Sequence, residues 1–241
     1  MPLNKLKILV TRPSNQSEPL CKLVELNGGK PVKLPVINIV SINNNWDDYN
    51  FNSFDMAIFI SSNAVEYTLS HTKLPTKLLV FAVGKTTAKT IQKYGLTSLC
   101  PASPFNSEKL LTMPQLHNIT NKNIVIFRGE GGRELLADTL RQRGANVEYI
   151  PVYRRVQPSA PTNDIYADII TITSGEGLQN LLAMLKESVW VQKKPMVVIS
   201  KRLSIKARKL GITEPIFVAP TASDDGMLTA ILQAAGLNQI I

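Results

Sequence analysis

The chain has 241 residues, 44% of them hydrophobic, which suits one large or two small domains with well-filled cores. No apolar run approaches the roughly 20 residues a membrane helix needs, and the opening MPLNKLKILV lacks the long apolar region and cleavage site of a signal peptide, so a cytoplasmic protein away from membranes is expected. The formal charge of +9 suits a solubilising surface, a nucleic acid or a small polyanion, but the cations are scattered and not gathered into one block with interleaved aromatics, which disfavours a nucleic-acid stripe while leaving a nucleic-acid-binding module as an alternative reading.

In chain order, strands are predicted near Lys7 to Thr11, Val32 to Ile37, Met56 to Ile60, Leu78 to Val83 and Ser98 to Cys100. A second series follows near Ile124 to Phe127, Asn146 to Val152, Ile169 to Thr173, Met196 to Ile199 and Ile216 to Val218. Helical patterns between them stop at Gly28, Gly95, Gly144 and Gly211. Ile- and Val-rich strands alternating with helices indicate parallel sheets covered on both faces. Two polar segments break the alternation, NIVSINNNWDDYNFNS from Asn38 and RRVQPSAPTNDIY from Arg154, and both read as connectors. Cys21 and Cys100 are isolated thiols, and His71 and His117 stand in polar surroundings, so neither a metal site nor a His-based triad is expected.

The second series repeats the first. Ile8 aligns with Ile124, Gly28 with Gly144, Lys33 with Tyr149, Val83 with Ile199 and Pro104 with Pro220, all at one offset. DMAIFISSNAVEYTL from Asp55 matches DIITITSGEGLQNLL from Asp168 at a slightly shorter one. An internal duplication follows, and the fold class is α/β, two similar doubly wound parallel-sheet domains.

Ligands of open parallel sheets collect at the carboxyl ends of the strands. Here those ends carry Arg12; Ser61 and Ser62; Thr86 and Thr87; Arg128, Gly129, Gly131 and Gly132; Ser174 and Gly175; Ser200 and Lys201. Hydroxyls, glycines and single cations at helix starts hold carboxylates through backbone N–H groups, although each Ser or Thr taken alone is also an ordinary N-cap. RGEGGREL is neither G-x-G-x-x-G nor a P-loop, so no nucleotide is implied.

ILVTRP, FRGEGGRELLADTLRQRGANVEYIPVYRR, ITSGEGLQNLL and VISKRLSIKARKLG, in that order and across essentially the whole chain, resemble the uroporphyrinogen-III synthases. The resemblance implies closure of the linear tetrapyrrole hydroxymethylbilane, a polycarboxylate, with inversion of its last pyrrole ring and loss of water through a spirocyclic intermediate, without metal or organic cofactor. It also implies a discontinuous first domain of residues 1–37 plus 166–241 and a second of 46–152, joined by linker strands 38–45 and 153–165, with the substrate in the cleft between them. The family's proton donor falls on Tyr153, and its hydroxyl contacts fall on Thr87 and Ser174. A monomer, with at most transient contact with the preceding enzyme, is expected. Three positions depart from some members: Asn63 replaces an arginine, and Arg202 and Leu203 replace a threonine pair. A non-catalytic two-domain receptor for a small anion would display the same repeat without needing Tyr153.

Overall fold

The repeated aspartates explain why one motif is written twice. In the computed structural model, which describes residues 2–161, 165–185 and 189–238, Asp55 accepts the backbone N–H of Asn123 at 2.9 Å, and its own N–H donates to the Asn123 carbonyl at 2.8 Å. Asp168 makes the same pair of bonds to Lys7, each 2.8 Å. Lys7 and Asn123 are equivalent positions of the repeat, so each aspartate ties a strand of its own sequence half to a strand of the other half.

The elements in chain order are β1 (Lys7–Val10), α1 (Ser14–Leu26), β2 (Lys30–Lys33), β3 (Asn38–Ser41), β4 (Met56–Phe59), α2 (Ser62–Leu69), β5 (Leu79–Ala82), α3 (Lys85–Lys93), α4 (Ser107–Leu110), β6 (Asn123–Gly129), α5 (Leu135–Gln142), β7 (Asn146–Val156), β8 (Ile169–Ile172), α6 (Gly175–Met184), β9 (Met196–Val198), α7 (Lys201–Lys209), β10 (Ile216–Val218) and α8 (Asp224–Asn238). They form two α/β units, Met1–Asn38 with Val156–Ile241, and Ile39–Arg155. The first holds a sheet of order β10-β9-β8-β1-β2, parallel throughout. The second has the order β3-β7-β6-β4-β5, with β7, β6, β4 and β5 parallel and Leu99 bridging to Phe81 beyond β5. Matching β1 with β6, β2 with β7, β8 with β4, β9 with β5 and β10 with Leu99 gives one strand order twice. Each sheet is therefore completed by strands from both sequence halves.

The central strands MAIF and IITI are buried at every position, as strands covered on both faces must be. In the second unit one face packs Phe59, Val65, Ile91, Phe127 and Val152, and the other packs Ile58, Phe81, Ile126, Leu136 and Leu140. In the first unit, Ile8, Val10 and Ile169 pack with residues of α1 and α8 such as Leu20, Val24, Ile231 and Ala234. Among the described residues no helix is long and apolar enough to cross a membrane.

Two expectations shift. The second strand, expected over Val32 to Ile37, pairs with β1 over Lys30–Lys33. Pro35 has no N–H to donate, and beyond Lys33 only Leu34 and Val36 reach Val10 and Thr11 through their N–H groups. The segment from Asn38 to Ser53, expected as a connector, begins with β3 beside β7, and the Ile42 N–H donates to the Val152 carbonyl at 3.0 Å. It continues into an aromatic cluster in which Trp46 and Tyr49 flank Phe51, whose ring lies 6.0 Å from that of Phe127. From Arg154 onward the chain continues as β7 up to Val156, and residues 162–164 of that connector lie outside the described residues.

Candidate functional site

Tyr153 owes its place to a slip in strand register. Strand β7 pairs residue for residue with β6 from Asn146 to Pro151, then skips Val152 so that Tyr153 stands opposite Gly129. Strict alternation would send Tyr153 to the face occupied by Tyr149. The extra residue turns it to the face of Ile150 and Val152, where it is only 4% exposed. Its ring stacks on Tyr67 with centroids 6.1 Å apart, and its Oη lies 3.1 Å from Ser61 Oγ. Ser61 in turn caps α2 by accepting the Ala64 N–H at 3.0 Å. A Cβ at Gly129 would stand 2.7 Å from the Tyr153 ring, so this glycine makes room for the tyrosine.

Beside it is a pocket of about 210 Å³ walled by Ile60, Ser107, Arg128, Glu130, Gly131, Gly132, Arg133, Tyr153 and Arg155. Its Gly-rich wall is braced from beneath. Arg128, 5% exposed, donates to the Gly131 carbonyl, to the Gly129 carbonyl at 3.3 Å and to Glu134 at 3.0 Å, while its guanidinium lies 4.3 Å over the Tyr149 ring. Gly131 and Gly132 adopt φ of 71° and 106°, and a Cβ at Gly132 would stand 2.6 Å from Arg128 Nη2. Arg128, expected to bind substrate, lines the pocket and also shapes the loop through these three hydrogen bonds. Burial chiefly raises the Tyr149 phenol above its ordinary value; Arg128 opposes this shift and Glu134 adds to it.

The remaining expected residues sit at strand ends in both units. Ser62 opens α2, and Thr86 and Thr87 lie in the first turn of α3, Thr86 exposed and Thr87 buried, outside the walls of that pocket. In the first unit Ser174 caps α6 through the Gly177 N–H at 2.9 Å, and Ser200 caps α7 through Leu203 at 3.4 Å. Lys201 is exposed, whereas Gly175 lies under Lys206, whose Nζ would stand 2.9 Å from a Cβ there. Arg12 pairs with Asp224, at the start of α8. Glu130, within the glycine-rich run, donates its N–H to the Tyr153 carbonyl at 2.7 Å, and residues that sequence reasoning did not single out include Arg155 and Tyr67, which donates to the Ile39 carbonyl at 2.9 Å. The counterpart of Tyr67 in the repeat, Asn180, donates to the Val36 carbonyl at 2.8 Å.

Comparison with known proteins points one way. The family model for uroporphyrinogen-III synthase HemD matches residues 18–229. The uroporphyrinogen-III synthase of Escherichia coli K12 is 30% identical, and that of Salmonella typhimurium 31%, each alignment covering 94% of this chain and 100% of the relative. The crystal structure of uroporphyrinogen-III synthetase from Helicobacter pylori, at 15% identity, shares the fold over 95% of this chain and 99% of its own, with a TM-score of 0.68. By the family match and the relatives' identity over their full length, this chain belongs to the uroporphyrinogen-III synthase family.

Proposed function

We propose that the chain converts hydroxymethylbilane to uroporphyrinogen III, closing the ring with inversion of the last pyrrole and loss of water, and that Tyr153 is its general acid. The observation that carries the assignment is Tyr153, which borders a pocket whose other walls include a glycine-rich loop and arginines. A phenol there donates its proton to the departing hydroxyl; the C–O bond breaks and an azafulvene cation forms. An already substituted pyrrole carbon attacks this cation to give a spirocycle, which fragments and recloses at the other side of the inverted ring. The proton lost from the terminal pyrrole carbon at closure restores the phenol.

Spontaneous closure proceeds without inversion, so the protein's main contribution is to fold the chain before it reacts. Carboxylates along the substrate match the helix starts and strand ends of both units. In this reading Ser62, Thr86, Thr87, Ser174, Gly175, Ser200 and Lys201 bind substrate, with Gly131 and Gly132 giving a loop whose backbone reaches it. General-acid help is worth about 10²–10⁴-fold. The ready ionisation of such a precursor puts Tyr153 at the low end of that range.

The test is to supply freshly made hydroxymethylbilane and to separate the oxidised product isomers by chromatography. Isomer III is expected to predominate; a product mixture dominated by isomer I overturns the proposal. The Tyr153→Phe variant is expected to lose roughly a hundredfold in kcat while still making isomer III.

A further inference from the structure

We propose that Ser61 is a positioning residue for Tyr153: its hydroxyl donates to the phenol oxygen, which leaves the phenolic proton directed at the departing hydroxyl and stabilises the phenolate that remains. The proposal rests on the reading of Tyr153 as the acid.

Three observations carry it. First, Ser61 Oγ already accepts the Ala64 N–H at 3.0 Å, and Tyr153 Oη stands 3.1 Å from it. An oxygen that accepts from a helix terminus becomes a stronger donor through its own O–H, because hydrogen bonds in a chain polarise one another. The direction from Ser61 to Tyr153 also puts the positive end of α2 behind any negative charge that develops on the phenol. Second, the repeat supplies an internal comparison. Ser174 caps α6 in the same way through the Gly177 N–H, yet the residue aligned with Tyr153 is Ile37, a buried aliphatic side chain. The serine cap therefore belongs to the duplicated fold, whereas the phenol beside it is an addition found in one unit. Third, that addition is built in at some cost in regularity. The strand slips register at Val152, and Gly129 lacks the side chain that would collide with the ring.

Tyr153 O–H gives its proton to the leaving hydroxyl, the C–O electron pair goes with it as water, and the phenolate accepts the Ser61 hydrogen bond. The proton released from the terminal pyrrole carbon returns to the phenolate, and nothing is oxidised or reduced.

Four variants separate this role from simple capping. Ser61→Thr keeps both cap and donor, and it is expected to retain most of the wild-type kcat. Ser61→Ala loses both; kcat is expected to fall about tenfold, the equivalent of one neutral hydrogen bond, with KM nearly unchanged. Ser61→Asp caps a helix as well as serine does but has no hydroxyl proton to give, so it is expected to melt like wild type and turn over as slowly as the alanine variant. Adding Ser61→Ala to Tyr153→Phe is expected to cost nothing further in kcat. Wild-type turnover by Ser61→Asp, or an equal loss from Ser61→Ala with and without the phenol, overturns the proposal in favour of a capping role alone. A slow Tyr153→Phe beside a fully active Ser61→Ala overturns Ser61 only, whereas full turnover by Tyr153→Phe overturns the acid assignment and the positioning role with it.

Discussion

Arg128 is the residue on which the shape of the pocket wall depends. Its guanidinium is almost wholly buried, donates to two loop carbonyls and pairs with Glu134, which is half exposed. Removing it leaves those carbonyls without their charged donor, and lysine cannot replace a planar fork that also stacks on Tyr149. Arg128→Met is expected to lower stability by about 2–3 kcal/mol in urea unfolding and to raise KM, with isomer I appearing beside isomer III as the loop loses its form. Gly131 and Gly132 separate two effects that their sequence does not distinguish. At Gly131 a Cβ meets nothing, so Gly131→Ala is expected to cost only backbone strain, roughly 1–2 kcal/mol; at Gly132 it also collides with Arg128, so Gly132→Ala is expected to behave more like Arg128→Met. The glycines and arginines of RGEGGREL stand out in the sequence as a special loop, but what each glycine makes room for does not. Gly129 clears the Tyr153 ring, which is set by a register slip that side-chain pattern does not reveal, and Gly132 clears Arg128.

At the scale of the strand, the paired aspartates are the devices that choose partners. The Asp55 carboxyl is held below the ordinary aspartate range, first by the Asn123 N–H and then by Lys122. A carboxylate whose folded pKa lies below its unfolded value adds stability above the unfolded pKa, about 4, and loses it as pH falls through the folded value. Asp55→Asn is therefore expected to cost about 0.5–1 kcal/mol at neutral pH, the modest size fitting a group in part exposed to solvent. The gap between variant and wild type is expected to close below about pH 4, which urea titrations at neutral and acid pH will measure. Most strands were legible because all-apolar runs such as MAIF and IITI admit few other structures. Strand β3 and its aromatic cluster were not, since Trp46, Tyr49, Phe51 and Phe54 are spaced at neither period 2 nor period 3.6 and sit among asparagines. Their burial comes from short turns wrapping over Phe127, a tertiary contact without a local signature.

For the whole molecule, the duplication does not coincide with the folded units. The sequence halves resemble each other, but β1 is paired with β8, and β4 with β6, each across the halves. A fragment covering residues 1–116 keeps β1 and β2 without β8, and β4 and β5 without β6. It leaves Ile8, Leu9, Val10, Ile58 and Phe59, all fully buried in the intact chain, without their partners. Residues 39–155, by contrast, are continuous and carry both faces of the second sheet with its own clusters. That fragment is expected to unfold in one cooperative urea transition, as a domain with its own core does. The 1–116 fragment is expected to show no such transition by circular dichroism until it is mixed with residues 117–241, when both sheets regain their missing strands. Cooperative unfolding of 1–116 alone would mean that β1 and β4 find adequate partners within their own half, and the aspartate ties to Lys7 and Asn123 would then be incidental to strand choice.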